Sequence, residues 1–300
     1  MSGKPCVNEF GVGGKEIRWD PEHLRKIKNH PCFSKEAQHI LGRMHLSVAP
    51  RCNVSCNYCI RRYDCANESR PGVTSEVLTS SQAIDRVREV VAEFSNIKVV
   101  GIAGPGEPLY NEETFQTLQL VKQEFPHLQL CLSTNGLLLP EKLSLLHELG
   151  VATLTVTMSA VDTRIGEKIY SWVRYNGKYL RGQKAAELLL ANQLAGIKGA
   201  IERGIVVKVN SVMIPSINDQ HLIEVAKKCR QLGVYMHNIM PLIPQAKFSD
   251  MRPPTSAERK EVQDACSVVI KQMRHCRQCR ADAIGLIGRD VSQTSFPPKT

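Results

Sequence analysis

Short apolar runs alternate with amphipathic segments along most of this chain. Val- and Ile-rich runs are typical of buried strands, whereas apolar residues three or four positions apart are typical of a helix packed on a sheet. One such helical set is Ile84, Val87, Val90, Val91 and Phe94. Successive strand and helix units of this kind predict an α/β protein with a parallel sheet and helical crossovers.

Six strands are predicted, at Met44–Ala49, Lys98–Ala103, Leu128–Ser133, Thr153–Ser159, Val206–Met213 and Tyr235–Met240. Six helices are predicted between and after them, at Ser81–Phe94, Glu112–Glu124, Pro140–Leu149, Gln183–Arg203, Asp219–Leu232 and Ser256–Met273. A further short helix, Ser34–Arg43 with Ser34 as its N-cap, precedes the first strand. The residues before His30 show no regular pattern. The order fits either an open doubly wound sheet or an incomplete barrel.

Composition narrows the class of protein. The 300 residues are 42% hydrophobic and 23% charged, as in ordinary globular domains. No apolar run reaches the ~18 residues of a membrane span, and the N-terminus has no signal-peptide pattern, so we expect a cytoplasmic protein that does not cross a membrane. The net charge of +10 comes from scattered basic residues and the aromatic content is only 5%. We therefore expect no nucleic-acid partner.

Eleven cysteines in a reducing compartment indicate metal or redox ligands before disulfides. Cys52, Cys56 and Cys59 form a C-x3-C-x2-C set in the loop after the first strand, with Tyr58 before the last. Three thiolates can hold three irons of a [4Fe-4S] cluster and leave the fourth iron open. Thiolates also build closed zinc sites, but zinc normally takes a fourth ligand nearby. The motif resembles the radical S-adenosylmethionine (SAM) signature, in which SAM binds the open iron.

That resemblance implies a partial (β/α)6 barrel of the TIM type, with the chemistry at the carboxyl ends of the strands. Polar or glycine-rich positions follow several predicted strands. Gly104, Gly106 and Glu107 resemble the superfamily's loop for the SAM amino group. We predict the SAM-binding residues to be Tyr58, Gly104, Gly106, Glu107, Thr134, Asn135, Ser159, Asn210 and Ile214.

The chain has more cysteines than one [4Fe-4S] cluster needs. Period-two alternation turns Cys131 into the barrel if its neighbours meet the outer helices. Cys276 and Cys279 form a C-x2-C pair, which indicates a metal pair. Cys229 and Cys266 lie in amphipathic helices and are interpreted as packing residues. The predicted additional ligands are Cys32, Cys65, Cys131, Cys276 and Cys279, with His30 or His39 as a nitrogen ligand.

Several longer phrases, from about His30 to Arg289, closely resemble the NifB family of nitrogenase cofactor maturases. They are His30-Pro31-Cys32-Phe33, Gly42-Arg43-Met44-His45-Leu46, Cys56-Asn57-Tyr58-Cys59, the stretch from Asp64 to Val73, and the stretch from Cys276 to Ala283. The resemblance implies fusion of two [4Fe-4S] clusters, as substrates, into a carbide-centred eight-iron precursor of the nitrogenase cofactor. One SAM methylates a sulfide of a substrate cluster. Another gives a 5′-deoxyadenosyl radical that removes hydrogen from that methyl group, and an added sulfur completes the product.

Carried onto this chain, the resemblance assigns Cys52, Cys56 and Cys59 to the SAM-cleaving cluster. It assigns Cys32, Cys65 and Cys131 to one substrate cluster, and Cys276 with Cys279 to the other. Glu68 and Arg70 are expected to tune or deprotonate the methyl-bearing intermediate. Expected partners are iron–sulfur cluster donor proteins, an electron donor, and a carrier or scaffold of nitrogenase assembly.

We expect three parts: an N-terminal cluster-ligating extension at residues 1–43, a radical SAM partial barrel at 44–245, and a C-terminal helix and C-x2-C tail at 246–300. The chain resembles the short, stand-alone form without an appended carrier domain. The alternatives are another radical SAM enzyme with auxiliary electron-transfer clusters and a non-catalytic iron–sulfur scaffold. Metal and sulfide content would separate these hypotheses.

Overall fold

The computed structural model of the protein describes residues 19–60, 64–67 and 76–291. Its strands are β1 (Gly42–His45), β2 (Val54–Cys56), β3 (Ile97–Ile102), β4 (Gln129–Thr134), β5 (Val151–Thr157), β6 (Tyr170–Tyr175), β7 (Lys178–Leu180), β8 (Val206–Met213), β9 (Met236–Pro241), β10 (Ile284–Leu286) and β11 (Arg289–Val291). Its α-helices are α1 (Pro21–Lys28), α2 (Ser80–Glu93), α3 (Glu112–Glu124), α4 (Leu139–Glu148), α5 (Thr163–Ile169), α6 (Gly182–Glu202), α7 (Leu222–Leu232) and α8 (Ser256–Ser267). Single 3₁₀ turns lie at Ala37–His39, Pro108–Tyr110, Asp219–His221 and Ala246–Phe248.

The main sheet has eight strands in the order β11-β10-β1-β3-β4-β5-β8-β9. The six from β1 to β9 are parallel, and these are the six strands predicted from the sequence, within a few residues at each end. Helices cover one face, where their apolar stripes and the outward residues of the strands form the principal core. The α/β class and the parallel order are therefore confirmed. Among the described residues, no helix is both long and apolar enough to cross a membrane.

The N-terminal part differs from the prediction. Residues 21–28 form helix α1, which Asp20 caps by accepting a hydrogen bond from the His23 amide at 2.8 Å. The predicted helix Ser34–Arg43 is wrong, because only Ala37–His39 make a 3₁₀ turn and Gly42 already begins β1. Pairing with β3 draws this stretch into the sheet. The predicted cap at Ser34 does form, since its Oγ accepts from the Ala37 amide at 3.1 Å.

Helix α1 lies against the amino ends of the parallel strands. Lys26 donates from Nζ to the Gly204 carbonyl just before β8, at 2.9 Å, and Gln129 at the start of β4 donates to the Lys26 carbonyl at 3.1 Å. Ile27 and Phe33 pack with Val206 and Met236 in a small core of their own. The N-terminal segment therefore covers the amino end of the barrel.

The predicted last helix is also corrected, because α8 ends at Ser267 rather than at Met273. The run from Val268 to Ile270 is β-branched, and such residues are weaker helix formers. The backbone then pairs with edge strand β9: His237 donates to the Lys271 carbonyl at 2.9 Å and accepts from the Met273 amide at 2.8 Å.

From there the chain runs to the opposite edge of the sheet, where β10 pairs antiparallel with β1 through Met44 and Ile284. We call residues 272–284 the C-terminal strap. It contacts both β9 and β1, the two outermost strands of the parallel set. Cys276 and Cys279 therefore lie on the segment that spans the open side of the barrel.

A second sheet, antiparallel and three-stranded, has the order β2-β6-β7. Asn176 and Gly177 form the hairpin turn between β6 and β7, both with positive φ, of 47° and 76°. Strand β2 carries Cys56, and Arg174 in β6 donates to the Asn53 carbonyl at 2.7 Å. The hairpin thus holds the loop that contains the C-x3-C-x2-C motif.

Helices α4 and α6 approach closely at Gly196. A Cβ placed there would lie 2.7 Å from Leu139 Cγ and 2.8 Å from its Cβ. Gly196→Ala gains about 0.5–1 kcal/mol of helix propensity but overpacks a rigid contact, at a cost of about 1–3 kcal/mol. We expect a net loss of about 1 kcal/mol in the free energy of unfolding, measured by denaturant titration. Ala195→Leu on the exposed side of the same helix is the control and should change it by less than about 0.5 kcal/mol. An unchanged or raised stability of Gly196→Ala would contradict this packing.

Candidate metal centre

One cavity opens at the carboxyl ends of the parallel strands. Four thiols line it, those of Cys52, Cys56, Cys59 and Cys65. The remaining lining residues are Val54, Asn67, Gly106, Glu107, Ser133, Thr134, Asn135 and Thr157. Because parallel strands end at one edge, residues far apart in sequence meet the cysteine loop here. We call Cys52, Cys56 and Cys59 the loop thiols.

A buried amide, Asn111, fixes the backbone of the loop. Its Oδ1 accepts from Arg51 N at 3.1 Å and from Arg51 Nε at 3.3 Å. Its Nδ2 donates to the carbonyls of Arg51 at 2.9 Å and Glu107 at 2.8 Å. One side chain therefore joins the cysteine loop to the glycine-rich loop after β3.

A glycine is required at position 106, because the cysteine loop and the loop after β3 approach each other closely there. A Cβ there would lie 2.7 Å from the Ala49 carbonyl oxygen and would also collide with that of Arg51. The Gly106 amide donates to the Ala49 carbonyl at 2.5 Å, and the Glu107 amide donates to Arg51 O at 2.8 Å. Gly104 has a φ of +147°, a backbone conformation that residues with a side chain rarely adopt. The glycines thus let two backbone segments meet behind the cavity.

Glu107 places a buried carboxylate in the cavity wall. Its Oε1 accepts from Thr134 Oγ1 at 2.6 Å and from the Leu109 amide at 3.1 Å. Its Oε2 accepts from the Asn135 amide at 2.6 Å. These bonds fix the carboxylate in one orientation and join three residues that the sequence assigned to SAM binding.

A chain of amides continues the wall around Cys56. Asn67 accepts a hydrogen bond from the Tyr58 hydroxyl at Oδ1 and approaches Cys56 Sγ with Nδ2, at 3.8 Å. Asn210 donates to the Asn67 carbonyl at 3.3 Å and accepts from Asn238 at 3.0 Å. Burial raises the pKa of the Tyr58 hydroxyl well above its ordinary value, so it stays a neutral donor.

Two other predicted SAM-binding residues have structural contacts. Ser159 accepts from the Val212 amide at 3.1 Å and its carbonyl accepts from Asn218 at 2.9 Å. Ile214 is fully buried in the apolar cluster that also contains Cys56 and Tyr58. Both residues support the strand ends beside the cavity, and SAM contact from them stays a prediction.

A second group of thiols lies toward the amino half of the barrel. Cys32 interacts electrostatically with Cys279, Cys131, Lys208 and Arg43. Cys32 and Cys276 pack against the same small core, and His275 contacts the Pro31 carbonyl at 3.1 Å. Leu130 and Leu132 face the helices, as expected, which turns Cys131 inward. We call Cys32, Cys131, Cys276 and Cys279 the inner thiols.

Two cations lie among the inner thiols. Lys208 is 6% exposed, lies over the Phe33 ring at 5.5 Å and approaches Met273 Sδ at 3.7 Å. Arg43 is fully buried and donates to Cys279 Sγ at 2.9 Å. Burial raises the pKa of the Cys32 thiol to about 12, although Lys208 and Arg43 oppose the rise. Burial likewise raises the pKa of Cys279.

The predicted nitrogen ligands lie in different surroundings. His30 is buried, and burial together with the positive charge of Lys208 lowers its pKa well below the ordinary value. Its imidazole is therefore neutral, the form that binds metals. His39 is exposed on a 3₁₀ turn beside Gln38. Glu68, Arg70 and Cys6 lie outside the described residues.

The ten described cysteines are thiols rather than disulfides, and Cys229 and Cys266 are fully buried packing residues, as predicted. Within residues 19–60, 64–67 and 76–291, no three His, Cys, Asp or Glu side chains are arranged to hold a single metal ion.

The cavity fits an iron–sulfur cluster that carries SAM. Its donor set is sulfur, which iron–sulfur clusters prefer. Burial raises the pKa of Cys56, and the thiols of Cys59 and Cys52 add to the rise, so thiolates here need the positive charge that iron supplies. Asn53 Nδ2 is buried without a hydrogen-bond partner among the described residues, while its Oδ1 accepts from Asn135 at 2.8 Å. Asn53 is thereby joined to Asn135, which lines the cavity.

Sequence reasoning missed several residues that build the site. Asn111 and Asn53 carry no motif signal, because an amide in a loop is usually a surface residue. Asn67 lies in the NifB-like stretch from Asp64 to Val73 but was not predicted to be a site residue. The hairpin did have a signal: Asn176-Gly177 between alternating residues is typical of a two-residue β-turn. Reading that signal would have predicted β6 and β7.

Residues 46–229 match the family model of the radical SAM superfamily. Curated relatives are named "FeMo cofactor biosynthesis protein NifB". The Frankia alni protein is 47% identical over 97% of this chain and 59% of its own length. The Bradyrhizobium diazoefficiens protein is 51% identical over 96% of this chain and 58% of its own. The chain therefore spans less than two thirds of the length of these relatives.

Solved structures share the fold at low identity. SuiB of Streptococcus suis, bound to S-adenosylmethionine, superposes with a TM-score of 0.54 at 15% identity, over 82% of this chain and 50% of that one. Methylornithine synthase PylB superposes with a TM-score of 0.52 at 14% identity, over 90% and 82%. Together with the family match, these likenesses confirm the predicted radical SAM fold.

Asn111→Ala removes the side chain that fixes the cysteine loop and leaves buried backbone groups without partners. We expect a loss of about 1–3 kcal/mol in the free energy of unfolding. The loop thiols of the metal-free protein should also react faster with an alkylating reagent, followed by mass spectrometry. The control is Asn96→Ala, which removes one exposed bond to the Ile40 carbonyl and should leave both quantities close to wild type. Wild-type alkylation rates in Asn111→Ala would contradict the role given to this amide.

Proposed function

The chain belongs to the radical SAM superfamily and is a NifB-type protein in sequence, and on that basis we propose that it is a radical SAM maturase of the nitrogenase cofactor. In this proposal it fuses two [4Fe-4S] clusters, its substrates, into an eight-iron precursor. A SAM-derived carbide and one additional sulfur enter the product. The protein acts in the cytoplasm.

The observation that carries the proposal is the presence of two thiol groups in one barrel. The loop thiols line the cavity at the carboxyl ends of the strands, and the inner thiols lie toward the amino half. Cys65 lines the first cavity although it is not part of the C-x3-C-x2-C motif. An enzyme that cleaves SAM and nothing more needs only the three loop thiols. The remaining sulfur supports a protein that handles clusters as substrates.

At the first site, Cys52, Cys56 and Cys59 would hold the resident [4Fe-4S] cluster. When bound, this cluster supplies the electron that cleaves SAM reductively. The Glu107 carboxylate, oriented by Thr134 and Asn135, is a fixed acceptor for the SAM amino group. Asn53 Nδ2, which has no hydrogen-bond partner within the described ranges, is the proposed donor for the SAM carboxylate.

The substrate clusters would use the other sulfurs. Cys276 and Cys279 hold one of them, and Cys32, Cys65 and Cys131 hold the other. Cys65 lies beside the loop thiols, which brings its substrate cluster next to bound SAM. A labile imidazole, from the neutral and buried His30, would ease release of the product. His39 is exposed and therefore the weaker candidate.

The carbon chemistry requires methyl transfer from one SAM and hydrogen abstraction driven by another. Cys65 precedes the stretch with Glu68 and Arg70, which we propose to tune or deprotonate the methyl-bearing intermediate. Cluster donor proteins, an electron donor and an acceptor scaffold of nitrogenase assembly would be the partners.

Iron content tests the number of clusters. After anaerobic reconstitution we expect about 12 irons per chain, from three four-iron clusters. The triple variant Cys52→Ala, Cys56→Ala, Cys59→Ala should keep about eight and lose SAM cleavage, measured as 5′-deoxyadenosine. About four irons in the wild type would exclude the two substrate clusters. Continued 5′-deoxyadenosine formation by the triple variant would exclude the assignment of the loop thiols.

Removal of the strap thiols tests the fusion reaction itself. Cys276→Ala with Cys279→Ala should lose about four irons and fail to activate cofactor-deficient nitrogenase, while some abortive SAM cleavage persists. The matched control is Cys229→Ala with Cys266→Ala, because these thiols are buried away from both groups. That variant loses stability but should keep its iron. Wild-type activation by the strap variant would refute the assignment. Full iron content without any carbide-containing product in the wild type would instead favour a radical SAM enzyme with auxiliary clusters.

A further inference from the structure

Arg43 is a buried cation with an unusual set of partners. Its side chain is fully buried in the second position of β1. Nη1 donates to the Gly285 carbonyl at 2.6 Å and to that of Leu286 at 3.2 Å. Nη2 donates to Cys279 Sγ at 2.9 Å and forms an ion pair with Asp290. One guanidinium therefore contacts strand β10, the last strand β11 and a strap thiol.

One donor of this group has no partner. Arg43 Nε is buried and makes no hydrogen bond within the part of the chain that the structure describes. A buried N–H without an acceptor costs about 1–3 kcal/mol, so such groups are rare unless something binds them. His30 Nε2 is also buried and without a partner among the described residues. Arg43 interacts electrostatically with both His30 and Cys32.

Both unpartnered atoms are buried, and both belong to side chains that interact with Cys32. A ligand held by the inner thiols should be able to accept hydrogen bonds at more than one point and should be anionic. A neutral apolar molecule would leave Arg43 Nε without a partner, and a cation would meet Arg43 and Lys208.

We propose that Arg43 is a positioning residue for the cluster bound at Cys279, holding its ligand sulfur through Nη2 and one of its inorganic sulfides through Nε. The inference rests on the function proposed above. Charge-assisted bonds from a planar guanidinium fix two acceptors at once, which a lysine ammonium does not do. Hydrogen bonds to cluster sulfurs also raise the reduction potential.

Arg43 also connects the proposed cluster to strands β10 and β11 at the edge of the sheet. Asp290 and the carbonyls of Gly285 and Leu286 hold the last strands, while Cys279 and the sulfide hold the ligand. Loss of the sulfur contacts and loss of the strand contacts can be separated, because Asp290 forms an ion pair with Arg43 and acts on Cys279 only through its charge.

Three variants separate these roles in the anaerobically reconstituted full chain. Arg43→Lys keeps the positive charge but removes the planar set of N–H donors. We expect this variant to lose about a third of the iron. Any cluster it retains at the strap should have a more negative reduction potential. Asp290→Asn removes the ion pair but leaves both sulfur contacts, so it should keep wild-type iron. Arg289→Lys, exposed on the same strand, is the control and should match wild type.

Equal iron loss in Arg43→Lys and Asp290→Asn would mean that Arg43 only holds the last strands, and would overturn the proposal. Full iron content with an unchanged reduction potential in Arg43→Lys would overturn it as well. About four irons in the wild type would overturn the proposed function, and this inference with it, before any Arg43 variant is compared.

A second measurement does not depend on the folding of Arg43→Lys. Protein with [15N]guanidino-labelled arginine, carrying the Cys52, Cys56 and Cys59 to Ala changes, should show 15N coupling to a reduced cluster in pulsed EPR. Absence of that coupling would refute the sulfur contacts. Coupling that persists in labelled Arg280→Lys, whose side chain pairs with Asp282 instead, would exclude that arginine as its source.

Discussion

An open sheet of parallel strands leaves unpaired backbone groups at both edges, and the architecture of this protein depends on how they are satisfied. The strap meets one edge through His237 and the other through Met44. Those hydrogen bonds determine where the intervening residues lie, and the intervening residues include Cys276 and Cys279. Pairing at an edge strand protects a sheet from aggregation. Here it also places the thiols of Cys276 and Cys279 near those of Cys32 and Cys131.

The two thiol groups have different surroundings. Around the loop thiols, neutral amides and one oriented carboxylate predominate, and Asn111, Asn67 and Asn53 make most of the contacts. Such a wall suits a zwitterionic ligand, because it offers both donors and acceptors. The inner thiols lie among apolar side chains with two cations, which suits an anion. One barrel thus offers two environments of different polarity.

The sequence predicted the parts of this structure that local patterns determine. All six parallel strands and the start of α8 followed from apolar periodicity, and the loop thiols followed from spacing. The wrong predictions concern segments whose secondary structure depends on contacts with residues that are distant in sequence. Nothing local reveals that β3 draws Gly42 and Arg43 into a strand. The β-branched run from Val268 to Ile270 is a weak local signal for the end of α8, and pairing with β9 fixes the segment that follows. Asn111 and Arg43 depend on contacts across the sheet, so their importance could not be predicted without the fold.

The pairing of Met44 with Ile284 joins segments that are synthesised at very different times. All described residues that line the loop-thiol cavity precede residue 158, whereas Asn210 and Asn238, which support the wall around Cys56, are synthesised later. The inner thiols cannot be complete before Cys279 has left the ribosome. The order of synthesis is therefore the lining of the first cavity, then the amides that support it, and last the strap that brings Cys276 and Cys279 to Cys32 and Cys131.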